Sequence, residues 1–293
     1  MIFQAESYGK CIIAGEHSVL RGQPAVVFPV RPKFMKLEVE ADDGDFTAQF
    51  LGHHGEELKV LFFGLLEQTL ERLGKKRKDL SGALRIESEL PLGAGLGASA
   101  AICVLVSKWM NHLGYLATDQ LYHFSRSLED IFHGESSGVD IAMALEGEGI
   151  RFCRPESREL VAASWNPTWF VSYSGQRGST RECVSKVKEL LAKKPKLGEE
   201  LDQQMGRSAE LSQQALRADS SSGLPLLVEA VKMGESCFKQ WGLIYGQLEE
   251  HQAALYELGA LAVKPTGSGG GGYCLSLWEK EPTDVPFELI PVC

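Results

Sequence analysis

Several features that a chain of this length could carry are missing. No run reaches the ~18 apolar residues that a membrane-spanning helix needs, and no basic start leads into an apolar stretch, so neither a span nor a secretory leader is expected. Positive charge is in short supply. Thirty Lys and Arg stand against 39 Asp and Glu, a formal net charge of −9, and no nucleic-acid footprint is expected on such a chain. The basic clusters that exist, Lys75-Lys76-Arg77-Lys78 and Lys193-Lys194, each follow a helical pattern, where cations suit the helix C-terminus. Cysteine is present but unorganised. Cys11, Cys103, Cys153, Cys183, Cys237, Cys274 and Cys293 are odd in number, widely spread and without a C-x-x-C pair. That argues against a disulfide framework or a zinc site and for reduced thiols in a cytoplasm. There is no internal repeat.

What is present reads as mixed α and β. Strand-like segments lie at 3–6, 11–14, 25–28, 35–40, 83–87, 149–153, 169–173, 259–264, 273–277 and 287–292. The spacing of Val60, Leu61, Leu65, Leu66, Leu70 and Leu73 predicts a helix over 60–73. Further helices are expected near 98–113, 118–132, 137–146, 179–192, 196–218, 223–241 and 246–257, with Ser220 to Gly223 as a turn between two of them. The strands and helices follow no strict βαβ rhythm, which argues for an α+β class. The ragged stretch from Arg154 to Pro167, with prolines at both ends, marks a boundary between a domain over 1–160 and another over 161–293.

The most informative segment is Leu90-Pro-Leu-Gly93-Ala-Gly95-Leu-Gly97-Ala-Ser99-Ala-Ala101, followed by the apolar run Ile102 to Val106. Glycines let a backbone approach an anion closely, and a helix start offers unpaired N–H groups and a positive dipole end. Together they describe a phosphate cradle. A Walker A loop is excluded, because no lysine follows Gly97. A dinucleotide fingerprint matches loosely at Gly93-x-Gly95-x-x-Ala98, but Asp119, which has the right spacing for the acidic partner, opens a helical pattern. A glycine turn without a ligand is the third alternative.

Three more segments carry chemistry. Lys10 precedes a short apolar strand that ends in Gly15-Glu16-His17. Polar groups gathered at a strand end suit a site better than a core. In mid-chain, His133-Gly-Glu135-Ser-Ser-Gly-Val-Asp140 places a carboxylate at the start of an apolar helix, either as a cap or paired with a cation such as Lys10. Glu129 stands eleven residues upstream. Near the C-terminus, Lys264-Pro-Thr266-Gly267-Ser-Gly269-Gly270-Gly-Gly272 packs five glycines into six residues between strand-like runs, as a backbone passing close to a ligand would require.

In this order, these segments resemble the signature motifs of the GHMP small-molecule kinases, and the match spans residues 8 to 272. Tyr8, Ala98, Glu135-Ser136 and Ser268 depart from the family pattern. The resemblance implies a two-domain α+β GHMP kinase fold, with an N-terminal ribosomal-protein-S5-like domain and a C-terminal ferredoxin-like domain. It implies transfer of the ATP γ-phosphoryl group to a small-molecule hydroxyl. Gly15-Glu16-His17 and the segment ending at Asp140 most resemble members whose acceptor is the C5 hydroxyl of mevalonate. ATP and Mg²⁺ would be the cosubstrate and ion. Gly93, Ala94, Gly95, Leu96, Gly97, Ala98, Ser99 and Ala100, with Gly267, Gly269 and Gly270, would hold ATP. Ser99 and Glu129 would hold Mg²⁺. Asp140 and Lys10 would be catalytic, while Glu16, His17 and Thr180 would bind the acceptor. A phosphorylated acceptor would need further cations, for which Arg21, Arg177 and Arg181 are candidates. A ligand sensor on the same fold is the alternative of a different class. The resemblance allows a homodimer and implies no nucleic-acid or membrane partner.

Overall fold

A computed structural model describes residues 2–52, 54–134 and 136–292. Contacts divide the chain into two compact units, each assembled from separated segments: Met1–Gly9, Arg31–Leu92 and Gly97–Gly147 in one; Lys10–Val30, Gly93–Leu96 and Glu148–Cys293 in the other. Strands β1 (Ile2–Ala14) and β2 (Ala25–Asp45) contribute residues to both units.

In the first unit, β4 (Ser81–Ser88) shows why a strand forms there: its burial alternates residue by residue, with Leu84, Ile86 and Ser88 turned inward. It pairs antiparallel with the Met35–Glu40 stretch of β2 and parallel with β3 (Thr47–Leu51). Helix α1 (Gly55–Arg72) buries one stripe, Leu58, Phe62, Leu65, Leu66 and Leu70. Helix α2 (Ala98–His112) is apolar almost all round and is buried from Ala100 through Ser107. Helices α3 (Leu121–His133) and α4 (Val139–Glu146) pack against it.

In the second unit, Ala25–Val27 of β2 pairs with β5 (Ile150–Cys153), which pairs in turn with β6 (Ser157–Leu160). A separate antiparallel sheet runs β10 (Ile290–Pro291), β7 (Thr168–Tyr173), β9 (Tyr273–Trp278), β8 (Ala262–Pro265). Helices α5 (Thr180–Lys193), α6 (Pro195–Arg217), α7 (Ser220–Gln240) and α8 (Gln247–Glu257) complete the unit, with α7 on α6 and on β8. Phe170, Leu248, Leu255, Val263, Cys274 and Trp278 form a core cluster beneath α8. Among the described residues, no helix is long and apolar enough to cross a membrane.

The α+β class holds, but the strands differ in detail from the sequence reading. Segments 3–6 and 11–14 are one strand, as are 25–28 and 35–40. Pro29 and Pro32, which look like breaks, fall between the residues that pair with β5 and those that pair with β4. Strand β6 left no periodic signal because all four of its residues are exposed on a charged edge. Ser220 to Ser222 are helical rather than a turn, since the Asp219 carboxylate accepts from the amides of Ser221 (3.0 Å) and Ser222 (3.2 Å) and so caps α7.

Gly15 follows β1 at φ +106°, and a Cβ there would overlap the Ala25 backbone and the Pro24 carbonyl. Gly22 has φ +89°, and none of the described residues comes within 4 Å of such a Cβ. Gly15→Ala is expected to cost about 3 kcal/mol or more, as strain plus overpacking, and Gly22→Ala about 1 kcal/mol, as strain alone. Urea unfolding of the two variants measures the difference, and equal losses would contradict this packing.

Candidate active site

The glycine loop divides between the two units. In the second unit its tip meets β1 at Lys10. The Lys10 amide donates to the Leu96 carbonyl (3.0 Å), and Lys10 Nζ donates to the Gly95 carbonyl (3.0 Å). Lys10 itself is buried. The C-terminal glycine loop reaches the same place: a Cβ on Gly267 would lie 3.5 Å from Lys10 Nζ, and one on Gly272 would lie 2.9 Å from the Ala94 carbonyl. The Thr266 hydroxyl accepts from the Ile12 amide at 2.8 Å. Gly269 and Gly270 turn beside α5, where Cys183 Sγ donates to the Gly269 carbonyl and the Gln176 amide donates to Gly270 O at 2.7 Å. A Cβ on Gly271, at φ +145°, would come within 2.7 Å of the Gln176 carbonyl, so the close approach of these two segments needs glycine.

His17 touches the C-terminal glycine loop at Ser268. Its φ of +59° is unusual for a residue with a side chain and stores local strain. The ring sits edge-on to Phe238 and Trp241, 6.0 and 5.0 Å between centroids, with Nε2 2.9 Å from the Ser268 carbonyl. A carbonyl only accepts, so Nε2 carries the proton and Nδ1 is the acceptor. Burial pushes the His17 pKa down to about 4, against the smaller upward pull of the Ser268 carbonyl. The imidazole is therefore neutral at physiological pH. Ser268 also links to Thr180, their hydroxyls 3.3 Å apart. Thr180 is the first residue of α5, which Ser179 caps by accepting from the Glu182 amide.

Glu16 points elsewhere. Its carboxylate is fully buried and paired with Lys264, whose own exposure is 0%. Burial pushes the Glu16 carboxyl above its ordinary value, while the adjacent Lys264 ammonium pulls it back. Lys264 is named from the sequence as the first residue of the C-terminal glycine motif, without being given a role; a lysine inside the apolar run Leu261 to Pro265 is the available signal. Arg21 is likewise engaged, forking onto both Asp202 carboxylate oxygens.

In the first unit, Gly97 caps α2 without a side-chain bond, and Ala98, Ser99 and Ala100 form the first turn. Glu129 is buried on α3 and accepts a bond from the Ser136 hydroxyl, whose oxygen in turn accepts from the Gly138 amide at 3.1 Å. Ser136, one of the departures from the family pattern, thus joins Glu129 to the start of α4. The Asp130 carboxylate accepts from the Ser136 amide at 2.6 Å. Asp140 is the second residue of α4, where an acidic group suits the helix start, and it is partly exposed. Glu135 lies outside the described residues.

Residues 61–148 match the family model for the GHMP kinases N terminal domain. A mevalonate kinase of Archaeoglobus fulgidus is 28% identical over 289 residues, covering 98% of this chain and 96% of the relative. The fold resembles that of L. major mevalonate kinase in complex with R-mevalonate (TM-score 0.76, 21% identity, 95% of this chain and 87% of that one). It also resembles Streptococcus pneumoniae phosphomevalonate kinase in complex with phosphomevalonate and AMPPNP (TM-score 0.71, 19% identity, 95% and 92%).

The buried neutral His17 has a consequence for pH. Its folded pKa of about 4 lies below the ordinary value of 6.5, so between these pH values the unfolded chain takes up a proton that the folded chain does not. Its contribution to stability is complete above pH 6.5 and is lost as the pH falls toward 4. Denaturant unfolding at pH 7 and pH 4.5 should show the wild type losing roughly 2 kcal/mol more than His17→Gln. Equal losses in both proteins would mean that His17 is not held neutral.

Proposed function

We propose that the chain is a GHMP kinase that transfers the γ-phosphoryl group of ATP to the C5 hydroxyl of mevalonate. The observation that carries this reading is similarity over nearly the whole chain to a curated mevalonate kinase. The meeting of Lys10, Gly95 and Gly267 around one spot supports it from the structure. A neighbour of the same fold captured with an ATP analogue supports ATP as the donor.

Phosphoryl transfer asks a protein for positioning and charge neutralisation more than for covalent chemistry. The backbone amides of Gly93 to Ala100 and of the Gly267, Gly269 and Gly270 turn hold the nucleotide phosphates. Lys10 neutralises negative charge that develops during transfer. Asp140 orients the acceptor hydroxyl and takes its proton; aspartate is a weak base for an alcohol, so the proton leaves late. His17 accepts a hydrogen bond from an acceptor hydroxyl through Nδ1, and Thr180 donates to the acceptor from the start of α5. Ser99 and Glu129 fit Mg²⁺, being a hydroxyl and a carboxylate, the hard oxygen donors the ion prefers. When bound, the ion would screen the phosphate charge.

Arg21 bears on the alternative of a phosphorylated acceptor. Its guanidinium forks onto the Asp202 carboxylate, which offsets its charge and argues against its serving a second phosphate. The same Lys10 and Asp140 that support a kinase argue against a sensor.

ADP release with Mg²⁺-ATP against mevalonate, phosphomevalonate, galactose and homoserine tests the reading. Turnover on mevalonate alone is expected, and Asp140→Ala should nearly abolish it while ATP still binds. Turnover on another acceptor would overturn the substrate assignment, and a folded Asp140→Ala with most of its rate would remove Asp140 from its role.

A further inference from the structure

A lysine with no exposed surface needs a reason. Lys264 Nζ pairs with Glu16 Oε1, donates to the Ile12 carbonyl (3.1 Å) and to the Pro265 carbonyl (2.7 Å), and lies 5.4 Å from the centre of the Phe238 ring. Taking both charges out of water costs several kcal/mol each, and an apolar pair of similar size would fill the same space at no such cost. What an apolar pair would not do is fix one register between two segments. The bonds around the pair are register bonds. Ile12, whose carbonyl Lys264 holds, gives its amide to Thr266, two residues past Lys264. Next to Glu16, His17 donates to the carbonyl of Ser268. Two residues before Ile12 stands Lys10, with its amide and ammonium on the glycine-loop tip. The carboxylate oxygen of Glu16 that does not face Lys264 is buried, with no hydrogen-bond partner among the described residues.

We propose that Lys264 is a positioning residue for phosphoryl transfer. Clasping Glu16 and the Ile12 carbonyl, it sets the Thr266–Ser268 turn and Lys10 in one register. Glu16 serves the reaction through Lys264 and does not touch the acceptor. The inference rests on the kinase reading for its catalytic consequence, but not for the clasp itself.

A cycle of Glu16→Gln, Lys264→Met and the double variant tests it, with Glu16→Asp beside them. Each neutralising single variant strands a buried charge and should lower Tm. The double variant, free of that charge, should recover most of the Tm yet keep a kcat down on the order of tenfold, with the mevalonate KM little changed. Glu16→Asp keeps both charges but shortens the reach, so it should stay folded and lose kcat similarly. Hydrogen exchange of peptides covering 10–18 and 264–272 should quicken in the double variant and in Glu16→Asp, while the rest of the chain is unchanged. Wild-type kcat with unchanged exchange in either protein would reduce the pair to packing. A raised mevalonate KM at unchanged kcat in Glu16→Asp would put Glu16 on the acceptor and overturn the proposal. The exchange readout needs no turnover, so a chain inactive on mevalonate would defeat the kinase reading and still leave the clasp decided.

Discussion

A charged amine with no access to water constrains everything near it. Lys264 meets that constraint by drawing in a carboxylate 248 residues away in sequence and a carbonyl 252 residues away. The segment after Gly9 is thereby committed to the unit built mainly from the C-terminal half, and Lys10–Val30 does belong to that unit. The two ends of the chain then have one mutual register. Thr266 bonds to Ile12 and Ser268 to His17 because the residues beside them are already fixed.

The chemistry follows from this fixity. Two glycine-rich loops lie against Lys10 of β1. The histidine beside them is buried by Phe238 and Trp241 from the end of α7 and presents a neutral ring. In the other unit, the Ser136 hydroxyl ties Glu129 to the cap of α4, the helix that carries Asp140. Each of these groups is held by bonds to neighbours before any substrate arrives, which is what a reaction dependent on positioning requires.

Much of this was legible in the sequence, for local reasons. The helix after Gly97 is written in an apolar run preceded by glycine, and the glycine loops are written in composition. The long strands were harder, because Gly9 reads as a break. In the folded chain a Cβ at Gly9 would press on Leu90 Cδ2 at 2.9 Å, so the glycine serves close packing inside a continuous strand. The interleaving of the two units has no local sign, since it depends on strands that contribute residues to both. The Lys264–Glu16 pair had none either: a pairing across 248 residues leaves no periodicity, and Glu16 taken alone reads as a group for the substrate. The neutrality of His17 is hidden for the same reason, because the rings that bury it arrive from another part of the chain.

The proposed reaction makes a phosphate monoester at C5 of mevalonate. Phosphorus-31 NMR of the products from Mg²⁺-ATP and mevalonate reads that bond directly. The account predicts a monoester resonance split into a triplet by the two protons on C5, growing in step with ADP. An unsplit ester resonance, as the tertiary C3 hydroxyl would give, or ADP accompanied only by inorganic phosphate, would contradict it.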